Sequence, residues 1–534
     1  MELFNASEYL LDRRLAAGDA DRTAVVDARR RLTYAEVHSE VERAAGGLTA
    51  LGLLPEQRLL MVVVDCAEFV VLYLAAMRIG AVPVPVSTML RAPDIAELLD
   101  DSRAPVVAVS APLAPVVAEA LQQASFVRTV IDVDGAGIDG GESRQVVGMP
   151  DAATVPVYPT TADSPAFWLY TSGTTGKPKG AMHRHGAIQF SCETYGAQVL
   201  GIRPDDICLS AAKAFFAYGL GNSVLFPLSV GAATVLVPTP SRPDHVAQVA
   251  AAEHPTLFFG GPTFFVNMLR AELPAEALAS VRLCASAGEP LPASLYTRFT
   301  GRFGVDILDG IGMTELLHIF LSNREGEVKA GTTGVAVPGY DLELRDESGA
   351  VIEGSGVPGT LFVRGASTAT GYWSRYEASR QVFQGEWLRT GDTYVRDDDG
   401  YYACLGRTGD MLKASGIWVS PADIESRLLA HPDVAQAVVV AATDRDGLEK
   451  PVAYVILSSG AQVDEPALLT FCRDGLPSFK RPRRILLVDE YPTTATGKVR
   501  RVELRDLADT ALVTAAAVAT GTPPAEVGGR TVDA

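Results

Sequence analysis

The sequence predicts an α/β protein, with a large N-terminal region of helix-covered sheets plus a β-rich subdomain and a small C-terminal α+β domain. Three observations predict it. Short unbroken apolar runs alternate with helical stretches and are punctuated by Gly and Pro, as buried parallel strands require. From Gly331 onward, polar and apolar residues alternate instead, the mark of half-buried antiparallel strands. The final stretch of about a hundred residues forms a βα unit of its own. A chain of 534 residues holds material for several domains and can bury large cores.

Taken in order, residues 59–64 (Leu-Leu-Met-Val-Val-Val) are a continuous apolar run and read as a buried strand. A helix is expected over 67–79, with Gly80 placed to end it. Strands follow at 82–86 and 106–109, with helices at 94–101 and 112–125. The alternation resumes with strands at 233–237, 257–259 and 281–285, and helices at 244–253, 262–269 and up to Phe303. Residues 335–345 and 359–364 carry the β-rich pattern, with a tight turn at 397–400. Strands at 434–441 and 452–457 and a helix at 465–476 make the C-terminal unit. The domain limits are set at 1–408 and 409–511. Residues 512–534, rich in Ala, Thr, Gly and Pro and without periodicity, are expected to be disordered.

Between the two alternating stretches, the apolar run 166–170 feeds the sequence Tyr170-Thr171-Ser172-Gly173-Thr174-Thr175-Gly176-Lys177-Pro178-Lys179-Gly180. Hydroxyls, glycines and two lysines behind a strand suit the cradling of a polyphosphate. It is not a P-loop. That spacing would put the first glycine at Thr171 and the metal-binding hydroxyl at Pro178, where the ring also removes an N–H.

The net charge of −18 argues against a nucleic-acid or anionic-membrane partner. Cationic groups for a phosphate must therefore be placed locally. Six cysteines without a C-x-x-C pair suggest reduced thiols, not a disulfide framework or a zinc site. The N-terminus lacks a signal-peptide pattern, and the most apolar region, 59–81, is broken by Asp65, Glu68 and Arg78. A cytoplasmic location is expected.

Five further stretches carry chemistry. Asp309-Gly310-Ile311-Gly312-Met313-Thr314-Glu315 reads as a glycine-rich turn after a strand at 305–308, ending in a hydroxyl and a carboxylate. Ser286-Ala287-Gly288-Glu289-Pro290 stands at another strand end. Arg389-Thr390-Gly391-Asp392 and Gly406-Arg407-Thr408-Gly409-Asp410 precede the expected domain boundary. Pro492-Thr493-Thr494-Ala495-Thr496-Gly497-Lys498 lies near the C-terminus. Taken alone, each reads as a solvated turn, a helix-entry turn or a surface ion pair rather than as a site.

In series with the loop, over about residues 10–510, these motifs resemble the acyl-adenylate-forming (AMP-binding) superfamily of acyl-CoA synthetases, luciferases and adenylation domains. The resemblance implies ATP, Mg2+ and coenzyme A as cofactors, and a mobile C-terminal domain. It assigns phosphate contact to Thr171, Ser172, Gly173, Thr174 and Thr175, and nucleotide contact to Gly288, Glu289, Pro290, Asp309, Gly310, Ile311, Gly312 and Thr314. Glu315 would serve the magnesium, Asp392 and Arg407 the ribose or phosphate, and Lys498 the adenylation step itself. A carboxylate attacks the α-phosphate, and pyrophosphate leaves. The small domain then rotates and presents Lys413, Ser415, Gly416 and Trp418 to an incoming thiol. Gly409 occupies the hinge position, where the family usually carries Asp or Lys.

The segments Lys213–Asn222 and Leu316–Phe320 resemble those of benzoate–CoA ligases, which implies an aryl pocket lined by Ala217, Tyr218 and His318, with Phe216 beside them. Aromatics next to Ala and Gly suit a small flat apolar slot under a polar cap. The expected substrate is a small aromatic carboxylic acid. Three readings stand: thioester formation on CoA, loading of the phosphopantetheine of an acyl carrier protein, and a non-enzymatic nucleotide-binding role.

Overall fold

A computed structural model describes residues 2–135, 137–140, 144–172, 177–409, 412–414, 417–443, 449–493 and 499–509. By contact the chain divides into two compact units. The first comprises Met1–Ser355, Leu361–Thr390 and Arg396–Ala403, and the second Gly356–Thr360, Gly391–Val395 and Cys404–Ala534. The α/β class expected from the sequence holds.

Two helix-covered sheets dominate the first unit. A five-stranded sheet runs Val82–Pro85, Arg58–Val62, Val106–Val109, Thr129–Asp132, Gln145–Val147, parallel throughout. Residues 59–62 and 106–109 of its inner strands are apolar and fully buried, as a parallel sheet covered on both faces requires. The helix Ala67–Arg78 is likewise buried almost all round. It ends at Gly80, whose φ of +74° favours glycine and whose α-carbon faces the Tyr158 ring too closely for a Cβ.

The second sheet has nine strands, in the order Val335–Ala336, Ile319–Ser322, Ile307–Gly312, Leu283–Ser286, Leu257–Gly260, Ile207–Ser210, Ala233–Val235, Thr23–Val26, Arg31–Thr33. From Ile307–Gly312 to Thr23–Val26 it is parallel, and antiparallel strands close both edges. Phe258, Phe265 and Phe299 pack the core between this sheet and its helices.

One expectation is corrected here. Asp309–Gly312 is not a glycine-rich turn but the continuation of the strand Ile307–Gly312, paired antiparallel with Ile319–Ser322. The glycines serve close packing across that pair. A Cβ on Gly310 would lie 2.9 Å from the Ile319 side chain, and one on Gly312 2.7 Å from the His318 backbone. The turn itself falls later, at Thr314–Leu316.

The strand before the candidate phosphate loop, Pro165–Ser172, pairs antiparallel with Pro178–Arg184, with Ser172 opposite Pro178. The chain therefore returns as a strand where a P-loop would lead into a helix. Pro178 starts that strand, a position that asks no ladder N–H of it.

The second unit is built on a sheet in which Val434–Thr443 and Glu449–Leu457 are antiparallel and Arg484–Leu487 adds a parallel strand. Helices Pro421–Leu429 and Glu465–Gly475 cover one face through Ile424, Leu428, Leu468 and Cys472. Leu504 and Ala508 pack on the other. Among the described residues, no helix is long and apolar enough to cross a membrane, and all six cysteines are free.

Candidate active site

The return strand Pro178–Arg184 organises the site in the first unit. Along its free edge it takes up residues 370–373: Met182 N donates to Gly371 O at 3.0 Å, Trp373 N to Gly180 O at 2.9 Å, and Ala181 bridges Tyr372. This pairing delivers Tyr372 to Glu315. The phenol hydroxyl donates to Glu315 Oε1 at 2.5 Å, and both residues are buried. Lys179 Nζ stands 5.4 Å from the centroid of the Tyr372 ring.

His183, on the same strand, stacks on Phe167 with ring centroids 4.8 Å apart. Its Nε2 donates to the Thr314 carbonyl at 2.8 Å, which fixes the proton on that nitrogen. Burial pulls its pKa down to about 4, so the ring is neutral at physiological pH.

The turn carrying Thr314 and Glu315 is therefore held from several sides. Ala369 N donates to Glu315 O and Ser367 Oγ to Leu316 O, each at 2.8 Å. Leu317 then takes φ +67° and ψ −50°, with His318 N donating back to Leu316 O at 2.8 Å. This is the rarer, strained form of γ-turn, which costs about 1–3 kcal/mol in a residue with a side chain. It reverses the chain between the carboxylate and His318.

Of the acyl-pocket candidates, Phe216 precedes the short helix Ala217–Leu220 and is half-buried, as are Ala217 and Tyr218. Phe215 is buried and takes the core role. Tyr218 donates its hydroxyl to Ala285 O at 2.9 Å. His318 Nε2 donates to the Tyr218 carbonyl at 3.1 Å, so the two are locked together. The His318 ring contacts Tyr195, Tyr218 and Phe226, with centroids 4.5–5.4 Å apart. Burial pushes its pKa down to about 3. Nδ1 therefore carries a lone pair, and it has no hydrogen-bond partner among the described residues. Gly221 makes room for this ring, since a Cβ there would lie 2.3 Å from His318 Cδ2.

Asp309 is buried too. Its carboxyl accepts a long bond from Leu291 N, at 3.4 Å, and burial raises its pKa to about 8 against the bonds from Leu291, Ser286 and Gly310 that lower it. Ser286, opposite it in the parallel register, is also fully buried. Gly288, Glu289 and Pro290 form an exposed turn, with Gly288 at φ +95° and Glu289 accepting from Thr263 Oγ1 at 3.0 Å.

In the second unit, Arg407 Nε lies 3.1 Å from Asp392 Oδ1. Gly391, at φ +78°, accepts from Thr408 N at 2.9 Å, and Thr393 Oγ1 donates to Thr408 Oγ1 at 3.2 Å. The ion pair thus sits on cross-braced strands. Gly409 O accepts from Arg505 Nη2 at 3.3 Å, and a Cβ at Gly409 would meet nothing within 4 Å.

Gly173, Thr174, Thr175, Gly176, Asp410, Ser415, Gly416 and Lys498 lie outside the described residues, as do the side chains of Ser172, Lys413 and Trp418 and the tail from 510 onward. Thr171 is described, half-buried on the strand entering the loop. Two residues were missed by sequence reasoning, His183 and Tyr372. The signal for His183 was a histidine alternating inward on a strand. For Tyr372 it was a Gly-Tyr-Trp run beyond any motif considered.

The AMP-binding enzyme family matches residues 12–373, and the AMP-binding enzyme C-terminal domain matches residues 423–498. The benzoate–CoA ligase of Thauera aromatica is 43% identical over 509 residues, 94% of this chain and 96% of that protein. The solved benzoate CoA ligase from Burkholderia xenovorans LB400 superposes with a TM-score of 0.86 at 41% identity, covering 94% of this chain and all of the other. An anthranilate CoA ligase solved in complex with anthranoyl-AMP gives 0.89 at 35% identity, covering 95% and 98%. With its fold, its motifs and both of its domains matched, the chain belongs to the AMP-binding enzyme family.

Proposed function

We infer that this chain is an AMP-forming aryl acid–CoA ligase: it adenylates benzoate or a simple substituted benzoate with ATP, then transfers the acyl group to CoA. The observation that carries this reading is the lock between Tyr218 and His318. It sets a neutral imidazole among Tyr195, Tyr218 and Phe226, and a flat uncharged ring fits such surroundings better than a flexible chain. The ligases named above are similar over nearly the whole chain, which supports the same class of substrate.

Magnesium fits the residues present. Among the described residues, no group of three or more His, Cys, Asp or Glu could hold a metal alone. Glu315 is a buried carboxylate, and magnesium is commonly held by one or two carboxylates plus substrate phosphates. When bound, the ion neutralises polyphosphate charge. The chain's own residues do the rest. Thr171 to Thr175 hold phosphate oxygens, Asp392 accepts from ribose hydroxyls, and Thr314 and Glu315 orient the nucleotide. Lys498 stabilises charge at the α-phosphate as pyrophosphate leaves. Gly409 serves as the hinge between residues 1–408 and 409–511, and Lys413 to Trp418 guide the thiol. Both ATP and CoA are cytoplasmic metabolites, which favours that compartment.

The test is a panel of acids assayed for pyrophosphate release and for acyl-CoA. Benzoate and hydroxybenzoates are expected to support both. Release with fatty acids alone would overturn the aryl pocket, and transfer to a carrier protein but not to CoA would move the acceptor. Lys498→Ala is expected to lose adenylation while still transferring from preformed acyl-AMP.

A further inference from the structure

We propose that Tyr372 is a positioning residue for adenylation, fixing the Glu315 carboxylate through Oε1 for its service to metal-bound ATP. The proposal rests on the metal role given to Glu315 above.

A hydroxyl donating to a carboxylate makes a charge-assisted bond, roughly twice as strong as a neutral one. A glutamate side chain otherwise rotates about three bonds, and the main-chain bond from Ala369 N fixes only its backbone. Tyr372 removes that freedom from the reactive end. A carboxylate has about four lone-pair sites, so one donor leaves capacity for a cation.

The tyrosine can act this way because it is itself held on every side. Its backbone N donates to Ser379 Oγ at 3.0 Å, and its main chain bridges Ala181. Its ring meets Phe383 edge-on at 5.3 Å and receives Lys179 on its face. Lys179 and Ala181 belong to the strand that follows the phosphate loop. The groups that orient the carboxylate thus hang on the loop's own hairpin.

Tyr372→Phe removes only the hydroxyl and keeps both ring contacts. The experiment titrates the purified full chain with ATP in Mg2+ and with ATP in EDTA, by calorimetry, and repeats both in Glu315→Gln and in the double variant. Thermal midpoints check folding. We expect Tyr372→Phe to weaken Mg2+–ATP binding about 10- to 100-fold, the usual range for partners of a metal ligand. Binding of metal-free ATP and the KM for the acid should not change. In the Glu315→Gln background the same substitution should change Mg2+–ATP affinity less than about twofold, as a pair acting in one unit behaves. Equal weakening with and without metal would overturn the proposal by placing the hydroxyl on the nucleotide itself. Unchanged affinity in Tyr372→Phe beside a weakened Glu315→Gln would overturn the positioning role alone. An unaffected Glu315→Gln would remove the metal role and the proposal together.

Discussion

Glu315 and His318 stand three residues apart on one reversed stretch of chain, yet they are held in opposite ways. The carboxylate is buried but answered: a hydroxyl meets it directly, and a cation stands over the ring that carries this hydroxyl. The imidazole is buried among aromatic rings, is neutral, and has one nitrogen without a partner among the described residues. The difference teaches how one turn can serve two chemistries. On the function proposed above, one side orients a carboxylate toward a polyphosphate, and the other excludes charge so that an apolar ring can be accommodated. Leu317, in its strained γ-turn, is the divider.

Substitutions that cross this divide should produce separable losses. Glu315→Gln is expected to be the largest. Removing a single preorganised electrostatic group costs roughly 10²–10³-fold in kcat. Pyrophosphate release against Mg2+ concentration should show the loss, with the KM for the acid unmoved. His318→Ala comes next. It removes the ring packed among three aromatics and leaves the Tyr218 carbonyl without its donor, a cost of about 1–3 kcal/mol. The KM for benzoate should rise about 10- to 100-fold while the Mg2+ dependence stays as in the unaltered chain. If both variants moved both parameters alike, the two sides would not be separate sites.

A smaller effect is expected at Gly409. A Cβ there would meet nothing within 4 Å, so Gly409→Asp should fold with an unchanged thermal midpoint. If the residue is a hinge, the substitution changes thioester formation without changing pyrophosphate release. Equal effects on both half-reactions would speak for a purely local role.

Much of this was legible in the sequence, and the rest was not for physical reasons. Strands such as Val106–Val109 announce themselves because burial on both faces demands unbroken apolar runs. The motif 309–315 carried a family resemblance but not its conformation. Glycines mean a turn when they supply a positive φ, and close packing when they pair with a bulky neighbour. Only the partner strand at Ile319–Ser322 decides between the two. Tyr372 was invisible for a related reason. Its partner lies 57 positions away, and a lone tyrosine after a glycine carries no local sign of which carboxylate it will meet. The short helix Ala217–Leu220 showed the reverse case, since its neighbour Phe215 turned out to be core while Phe216 to Tyr218 stayed half-open.

The smallest expected effect sharpens the comparison through pH. Burial moves the two kinds of group in opposite directions. His318, its pKa lowered from 6.5 to about 3, is neutral in the fold while the unfolded chain binds a proton between those limits. Its contribution is therefore present above about pH 6.5 and lost as the pH falls toward 3. His183 and His185, each lowered to about 4, share that sign. Asp309, raised from 3.8 to about 8, keeps its proton in the fold while the unfolded chain releases it, so its contribution is lost as the pH rises from about 4 to about 8. Between pH 6.5 and 8 these histidines lose their remaining protons only in the unfolded chain, a change that the variant and the unaltered chain share, while Asp309 titrates in the fold. Asp309→Asn removes that one slope. Its thermal midpoint, measured against the unaltered chain, should gain between pH 6.5 and pH 8 by the equivalent of about 1–2 kcal/mol, at about 1.4 kcal/mol per pH unit for a proton held only by the folded state. A gap that stays constant across that interval would mean that Asp309 is already ionised in the fold, and that the nucleotide side of the divide holds a second negative charge.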